Sequence, residues 1–397
     1  MLLAALSVNL FYAHQAATND HVISGWFHDS DANRGTGADF RALYAVGNAL
    51  AHGGDIYTDN LTRWVGAVCY QPYRYLPIGA LVGLPLTAMS WQSAQLLWLV
   101  FTELLTVLCA LAAYRLVRGF AGAIIAAAWL AGTPLYPELH MGQFNMLQSA
   151  FLFAALAAAA REKFLVSDAG VCGAMVWKMT GWIAAPALVL HRRWWALLSG
   201  AVLTGGSLAV YFLFTGGQSR PFWQNFNPTA LSAGIPFLYR GDLGFIMFLR
   251  VLTNGNLPPV LLRVIPLAAA AFSLAVMIVG RRASLADHLA LWFSAYFFIY
   301  LSVWEHHYLM LLPPLTYLAA RTRSWVLWPA LLLYALPTPY VMVGPVGVAN
   351  AGPWALVYHA VKPLAAALVF AVAVWCVWRN GRPPAVAPKP AEVSFAG

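Results

Sequence analysis

The sequence predicts an all-α, polytopic membrane bundle, and three observations carry that prediction. Of 397 residues, 61% are hydrophobic and only 9% are Asp, Glu, Lys or Arg, against about 25% charged residues in ordinary globular domains. The apolar residues fall in long runs separated by short basic clusters, and none alternates with the period of a strand. Trp, Tyr and Phe number 17, 17 and 22, as expected where aromatic belts line two membrane interfaces. The composition excludes an ordinary soluble domain, and it excludes disorder, which needs low hydrophobicity and high charge. A net charge of +9 carried by so few residues fits basic turns and a lipid-phosphate ligand better than nucleic acid.

The apolar runs lie at about 1–16, 94–114, 119–136, 141–160, 194–214, 259–279, 287–304, 306–320, 324–340 and 354–378. Backbone polar groups must be satisfied internally in lipid, so these segments are helices. The first lacks the basic flank of a signal peptide and reads as a span. It is short of the ~20 residues a crossing needs, which suggests a start upstream. With short and re-entrant pieces the bundle comprises about 10–13 membrane segments, with interfacial helices in the first outer loop.

Six basic clusters set the expected orientation: Arg115/Arg118, Arg161/Lys163, Arg192/Arg193, Arg281/Arg282, Arg321/Arg323 and Arg379/Arg382. The positive-inside rule places all six in the cytoplasm. Residues 164–190 then join two cytoplasmic clusters and cannot cross once; they read as a hairpin of two short helices broken near Lys178. Segment 75–90 is short and interrupted by Pro and Gly, so it is a re-entrant helix or a short second span, with parity favouring the former. Residues 1–378 form one integral-membrane domain with outer loops at 17–74 and 215–258, followed by a Pro-rich disordered cytoplasmic tail at 379–397. No internal repeat is visible, which weighs against an inverted-repeat transporter.

Six of the fourteen acids, Asp20, Asp29, Asp31, Asp39, Asp55 and Asp59, crowd into the first outer loop. There Phe40, Leu43, Val46 and Leu50 recur at helix spacing, giving an amphipathic helix on the membrane surface that Gly53 and Gly54 end. Asp39 stands at its start. The plain reading is a helix N-cap; the sharper one is a catalytic carboxylate. Downstream, YQPYRYLP at 70–77 supplies interfacial tyrosines, with Arg74 placed for a phosphate. HMGQFNMLQ at 140–148 offers Gln143 and Asn145 as helix caps or as donors to sugar hydroxyls.

Lys178 at membrane depth marks a functional site unless it snorkels outward. In SVWEHHYLMLLPP at 302–314, Glu305, His306 and His307 interrupt apolar runs; a histidine bonding phosphate is favoured over a metal site of Glu305 and one histidine. The loop at 215–258 mixes Arg220, Arg240 and Arg250 with Phe222, Trp223, Phe226, Phe237 and Tyr239, suited to a lipid-linked phosphate sugar or to headgroups. Cys69, Cys109, Cys172 and Cys376 form no CxxC pair or metal spacing.

In order, GADFRALYAVGNAL with GDIYT, YRYLP, GQFN, VWKMTGW between basic turns, and WEHHY resemble the C-type membrane glycosyltransferases. The similarity is to the polyprenol-phosphate-mannose-dependent mannosyltransferases, glycosyltransferase family 87. The resemblance implies a multi-pass protein of the inner or plasma membrane whose site faces the periplasm or exterior. Asp39 would be the acceptor-activating base. Lys178, His306, His307 and Arg74 would bind the donor phosphate, with the choice between the two histidines open. Tyr44, Tyr73, Gln143, Asn145 and Glu305 would contact substrate. The donor would be a polyprenyl-phosphate sugar, the acceptor a glycolipid or glycan, and no metal or cofactor is called for. A C-type pentosyl transferase, such as an arabinofuranosyl transferase, and a flippase of lipid-linked sugars are the competing expectations.

Overall fold

A computed structural model describes residues 1–18, 36–66, 69, 73–215, 222, 241–339, 343 and 352–381, and among them there is no strand. Asp20, Asp29, Asp31, Arg220, Arg240, Trp223, Phe226, Phe237, Tyr239, Arg382 and most of the C-terminal tail lie outside the described residues.

The chain opens with α1 (Leu2–Thr18) and α2 (Ala38–Ala51), then the short α3 (Pro77–Leu86) and the long α4 (Trp91–Val117). Next come α5 (Gly119–Ala131), α6 (Leu135–Met141), α7 (Asn145–Ala159) and α8 (Phe164–Lys178). A 3-10 turn at Thr180–Ala184 leads to α9 (Ala185–Leu190) and α10 (Trp194–Thr215). The last part holds α11 (Phe245–Leu252), α12 (Leu261–Val279) and α13 (Leu285–Ile299), then a 3-10 segment at Glu305–Leu311. It ends with α14 (Leu312–Thr322), α15 (Leu327–Ala335) and α16 (Pro353–Asn380). Among the described residues five stretches are long and apolar enough to cross a membrane alone: Trp91–Val117, Gly119–Met141, Trp194–Phe214, Leu261–Val279 and Pro353–Asn380.

The large core is built around α13, α14 and α16, whose inward faces are buried while α4, α10 and α12 turn Leu, Val and Phe outward. Such outward apolar surface suits a lipid environment, where exposed apolar side chains carry no cost.

The basic turns collect at one end of this bundle. Asp287, in the first turn of α13, accepts from Tyr317 at 2.7 Å and from Asn380 at 3.1 Å, with Arg321 at 4.0 Å. His191 at the end of α9 meets His288 at 2.7 Å. Arg193 forms a forked pair with Asp168 near the start of α8. Arg115 and Arg161 line one groove between α4 and α7. Five of the six clusters are thus tied together or side by side.

Two expectations about the first outer loop are corrected. Helix α2 does not have one free, polar face: Ala38 through Gly47 and Ala49 are buried against α3, α4 and the α6–α7 turn. Its crossing with α3 is close because a Cβ on Gly83 would sit 2.3 Å from Leu43 O, and one on Gly47 2.5 Å from the Gly83 carbonyl carbon. Small residues permit such backbone contact in membranes. Asp39 is not the N-cap either. Gly37 holds that position at φ 73, with no side-chain cap, and Asp39 is the second helical residue. Helix α3 has 10 residues, about 15 Å of rise, half of a ~30 Å hydrocarbon core, so it cannot cross alone.

Candidate functional site

Opposite the basic end, polar residues converge on the turn between α6 and α7. Gly142 makes this turn at φ +65, and a Cβ there would meet Phe40 Cβ at 2.6 Å. Glycine therefore serves both the left-handed backbone and the close approach to α2. The turn is pinned to α2 by Gly37 N–H donating to His140 O at 2.7 Å. Two indoles clamp it from other helices: Trp98 Nε1 donates to Gln143 O at 3.2 Å, and Trp177 Nε1 to Phe144 O at 3.1 Å.

Glu138, fully buried in the middle of α6, organises this turn. One carboxylate oxygen accepts from Met146 N–H at 2.6 Å and the other from Asn145 Nδ2 at 3.0 Å. A carboxylate at the start of α7 also meets the positive end of the helix dipole. Asn145 so held presents Oδ1 to Lys178 Nζ at 2.5 Å. Two residues earlier, Gln143 Nε2 donates to Asp39 Oδ2. One short turn therefore grips Asp39 with one residue and Lys178 with another.

Lys178 reaches this position because the hairpin breaks at the expected place. Helix α8 ends on Lys178, Met179 turns at φ 54, and the chain folds back so tightly that a Cβ on Gly181 would lie 2.4 Å from the Ala174 carbonyl carbon. Thr180 Oγ1 accepts from Gln148 Nε2 at 3.1 Å, which ties the tip to α7. The ammonium stands 5.9 Å from the centre of the Tyr75 ring and within electrostatic reach of Glu138 and Asp39.

His307 joins from the 3-10 segment. Its Nδ1 accepts from Trp304 N–H at 3.0 Å, which leaves Nε2 as the ring's protonated donor when neutral. It lies within electrostatic reach of Lys178, and its ring is 4.6 Å from His306 and 6.0 Å from Tyr300. Arg74 in turn acts on Tyr300. The structure thus gathers Asp39, Gln143, Asn145, Lys178, His306, His307 and Arg74 around one end of the bundle.

Three expected substrate contacts have partners within the protein. Tyr44 gives its hydroxyl to Met89 O at 2.8 Å, and buried Tyr73 gives its to Leu76 O at 3.4 Å inside an aromatic cluster with Tyr57 and Tyr75. Glu305 turns away to Lys362, 3.5 Å distant. The carboxylate weighed as a metal ligand beside a histidine is neutralised by an ammonium instead. Among the described residues no three of His, Cys, Asp and Glu come together as a metal site would require.

Sequence reading missed Glu138 and Lys362. Lys362 interrupts an apolar run of α16, and a charge in such a run is itself the signal that could have found it. Glu138 in PLYPELHMG offers a similar, weaker signal.

Comparison with curated proteins finds no match. The family model described as Glycosyltransferase family 87 matches residues 73–303. That stretch holds Arg74, Glu138, Gln143, Asn145 and Lys178; Asp39 and the histidine pair stand outside it and rest on geometry. The matched stretch exceeds half of the 397 residues, and the chain is a multi-pass membrane protein that belongs to glycosyltransferase family 87.

Proposed function

We propose that the protein transfers a mannose-like hexose from a polyprenyl-phosphate donor to a glycolipid or glycan acceptor on the outer face of the inner or plasma membrane. The observation that carries this reading is the α6–α7 turn, which bonds a carboxylate through Gln143 and an ammonium through Asn145. An inverting transfer from a phosphate uses a base on the acceptor side of the anomeric carbon and a cation on the phosphate side.

In the proposed step Asp39 takes the proton of the acceptor hydroxyl as its oxygen attacks the anomeric carbon. The bond from that carbon to the phosphate oxygen breaks, and the polyprenyl phosphate leaves with the electron pair. The transition state is oxocarbenium-like, so one base and a good leaving group suffice for inversion. Charge grows on the departing phosphate, where Lys178, the His307 Nε2 proton and Arg74 stabilise it. His306 shapes the neighbouring wall. Gln143 aims Asp39 by donating to it. No step requires a metal.

The facing of the site away from the basic turns supports an outer location, since basic turns stay cytoplasmic. The test is direct: incubate the purified protein with polyprenyl-phosphate mannose or polyprenyl-phosphate arabinose and a lipid extract, and identify products by mass spectrometry. A hexose-bearing product from the mannose donor is expected. A product from the arabinose donor alone would replace this reading with pentosyl transfer.

A further inference from the structure

A lateral groove at the basic end of the bundle lies far from the turn that holds Asp39 and Lys178. It has a volume of about 440 Å³ and runs between α4 and α7. Leu108, Leu111, Ala112 and Ala157 line its wall, and Arg115 and Arg161 close its end. Leu108 and Leu111 face outward at 60% and 50% exposure, so the wall opens toward the surrounding lipid.

The two arginines differ from Arg193 and Arg321 at this end in having no acid beside them, and from the other arginines of the basic turns in lining this groove. Arg193 is paired with Asp168, and Arg321 lies 4.0 Å from Asp287. Neither Arg115 nor Arg161 has an ion-pair partner among the described residues. No acid lines the groove; Arg118 and Lys163 flank it on the two turns, with the exposed Glu162 beside Arg161 on the second. Two unpaired guanidiniums above an apolar trough match one kind of molecule: an anionic head on an acyl chain. Guanidinium forks fit phosphate oxygens, and basic pockets between membrane helices at this depth recognise anionic headgroups.

We infer that the α4–α7 groove binds an anionic bilayer phospholipid, with its phosphodiester on Arg115 and Arg161 and an acyl chain along Leu108 and Leu111. This site is separate from the transfer site and does not depend on the proposed reaction. Its charge selects an anionic over a zwitterionic lipid, and its apolar wall selects a lipid over a soluble phosphate.

Native mass spectrometry of the detergent-purified full chain, titrated with phosphatidylglycerol, phosphatidylcholine or glycerol 1-phosphate, tests it. Each arginine near a headgroup is worth about fivefold in affinity, so Arg115→Gln with Arg161→Gln should weaken phosphatidylglycerol binding about thirtyfold. Arg323→Gln, on another turn at the same end, should leave it unchanged. Ala112→Trp keeps both charges and fills the trough, so it should also release the lipid; it decides the matter should the double variant fail to fold. Unchanged retention in both Ala112→Trp and the double variant would overturn the site, as would equal binding of phosphatidylcholine by the unaltered protein. Binding of glycerol 1-phosphate as tight as that of the lipid would overturn the acyl-chain part.

Discussion

Two lysines inside the helical bundle, Lys362 and Lys178, have opposite surroundings. Lys362, with no exposed surface, gives its three protons to Thr133 Oγ1 at 2.8 Å, Tyr334 O at 2.5 Å and Leu336 O at 2.9 Å, with Glu305 at 3.5 Å. Its donors are used up, and they knit α16 to the α5–α6 junction, α15 and the 3-10 segment. Lys178, only half-buried, makes one hydrogen bond to a side chain, Asn145, among the described residues. Its ammonium lies within electrostatic reach of Asp39 and His307 and 5.9 Å from the Tyr75 ring. Charge at membrane depth therefore does not by itself identify a site. The donors left over after the fold is satisfied do.

The first way to break this comparison is at the carboxylate that Lys178 faces. Asp39→Asn is expected to lower transfer about a thousandfold, the scale of a lost general base, while membrane yield and melting temperature stay near those of the unaltered protein. Product formation in liposomes with labelled donor measures it.

The lysines themselves come next. Lys178→Gln should cut kcat about a hundredfold, as loss of one preorganised donor to a developing anion does, with little change in thermal stability. Lys362→Met should do the reverse, costing about 3–5 kcal/mol because Glu305 is left buried and uncompensated. Adding Glu305→Gln should recover part of that loss, which thermal unfolding in detergent reads as a coupling energy. Equal stability losses at Lys178 and Lys362 would erase the distinction.

These two residues also show how far the sequence could be read. The break at Lys178 was legible because the basic clusters at both ends of 164–190 forbid a single crossing, and the chain does reverse at Met179. The helix after Asp39 was legible from periodicity, but its burial was not. An apolar stripe tells which face turns inward and says nothing of the α3 and α6–α7 residues that cover its other side. The Asp39 cap reading failed for a related reason, since its partner Gln143 lies 104 residues away. Lys362 and Glu305 pair across 57 residues with no local pattern to announce it. Glu138 likewise gains meaning only once α6 and α7 fold against each other. Long-range pairing of single polar groups is the part that periodicity cannot carry.

Smaller effects sharpen the turn between the two charges. Gln143→Ala should lower kcat about tenfold to a hundredfold through misplacement of Asp39, with donor KM little changed. Asn145→Ala should act on Lys178 in the same range and raise donor KM as well. The smallest separation expected is between the histidines. His307→Ala, which removes the donor fixed by Trp304 N–H, should cost about tenfold and His306→Ala only severalfold. Steady-state kinetics on the two variants ranks them.

The central claim is that Asp39 takes the proton while the turn holds Lys178 on the leaving phosphate. Single-turnover transfer by Asp39→Asn, run beside donor binding by the same variant, tests it most directly. The account predicts donor bound as tightly as by the unaltered protein and product formed about a thousandfold more slowly. Transfer at the unaltered rate, with the donor still bound, would contradict it.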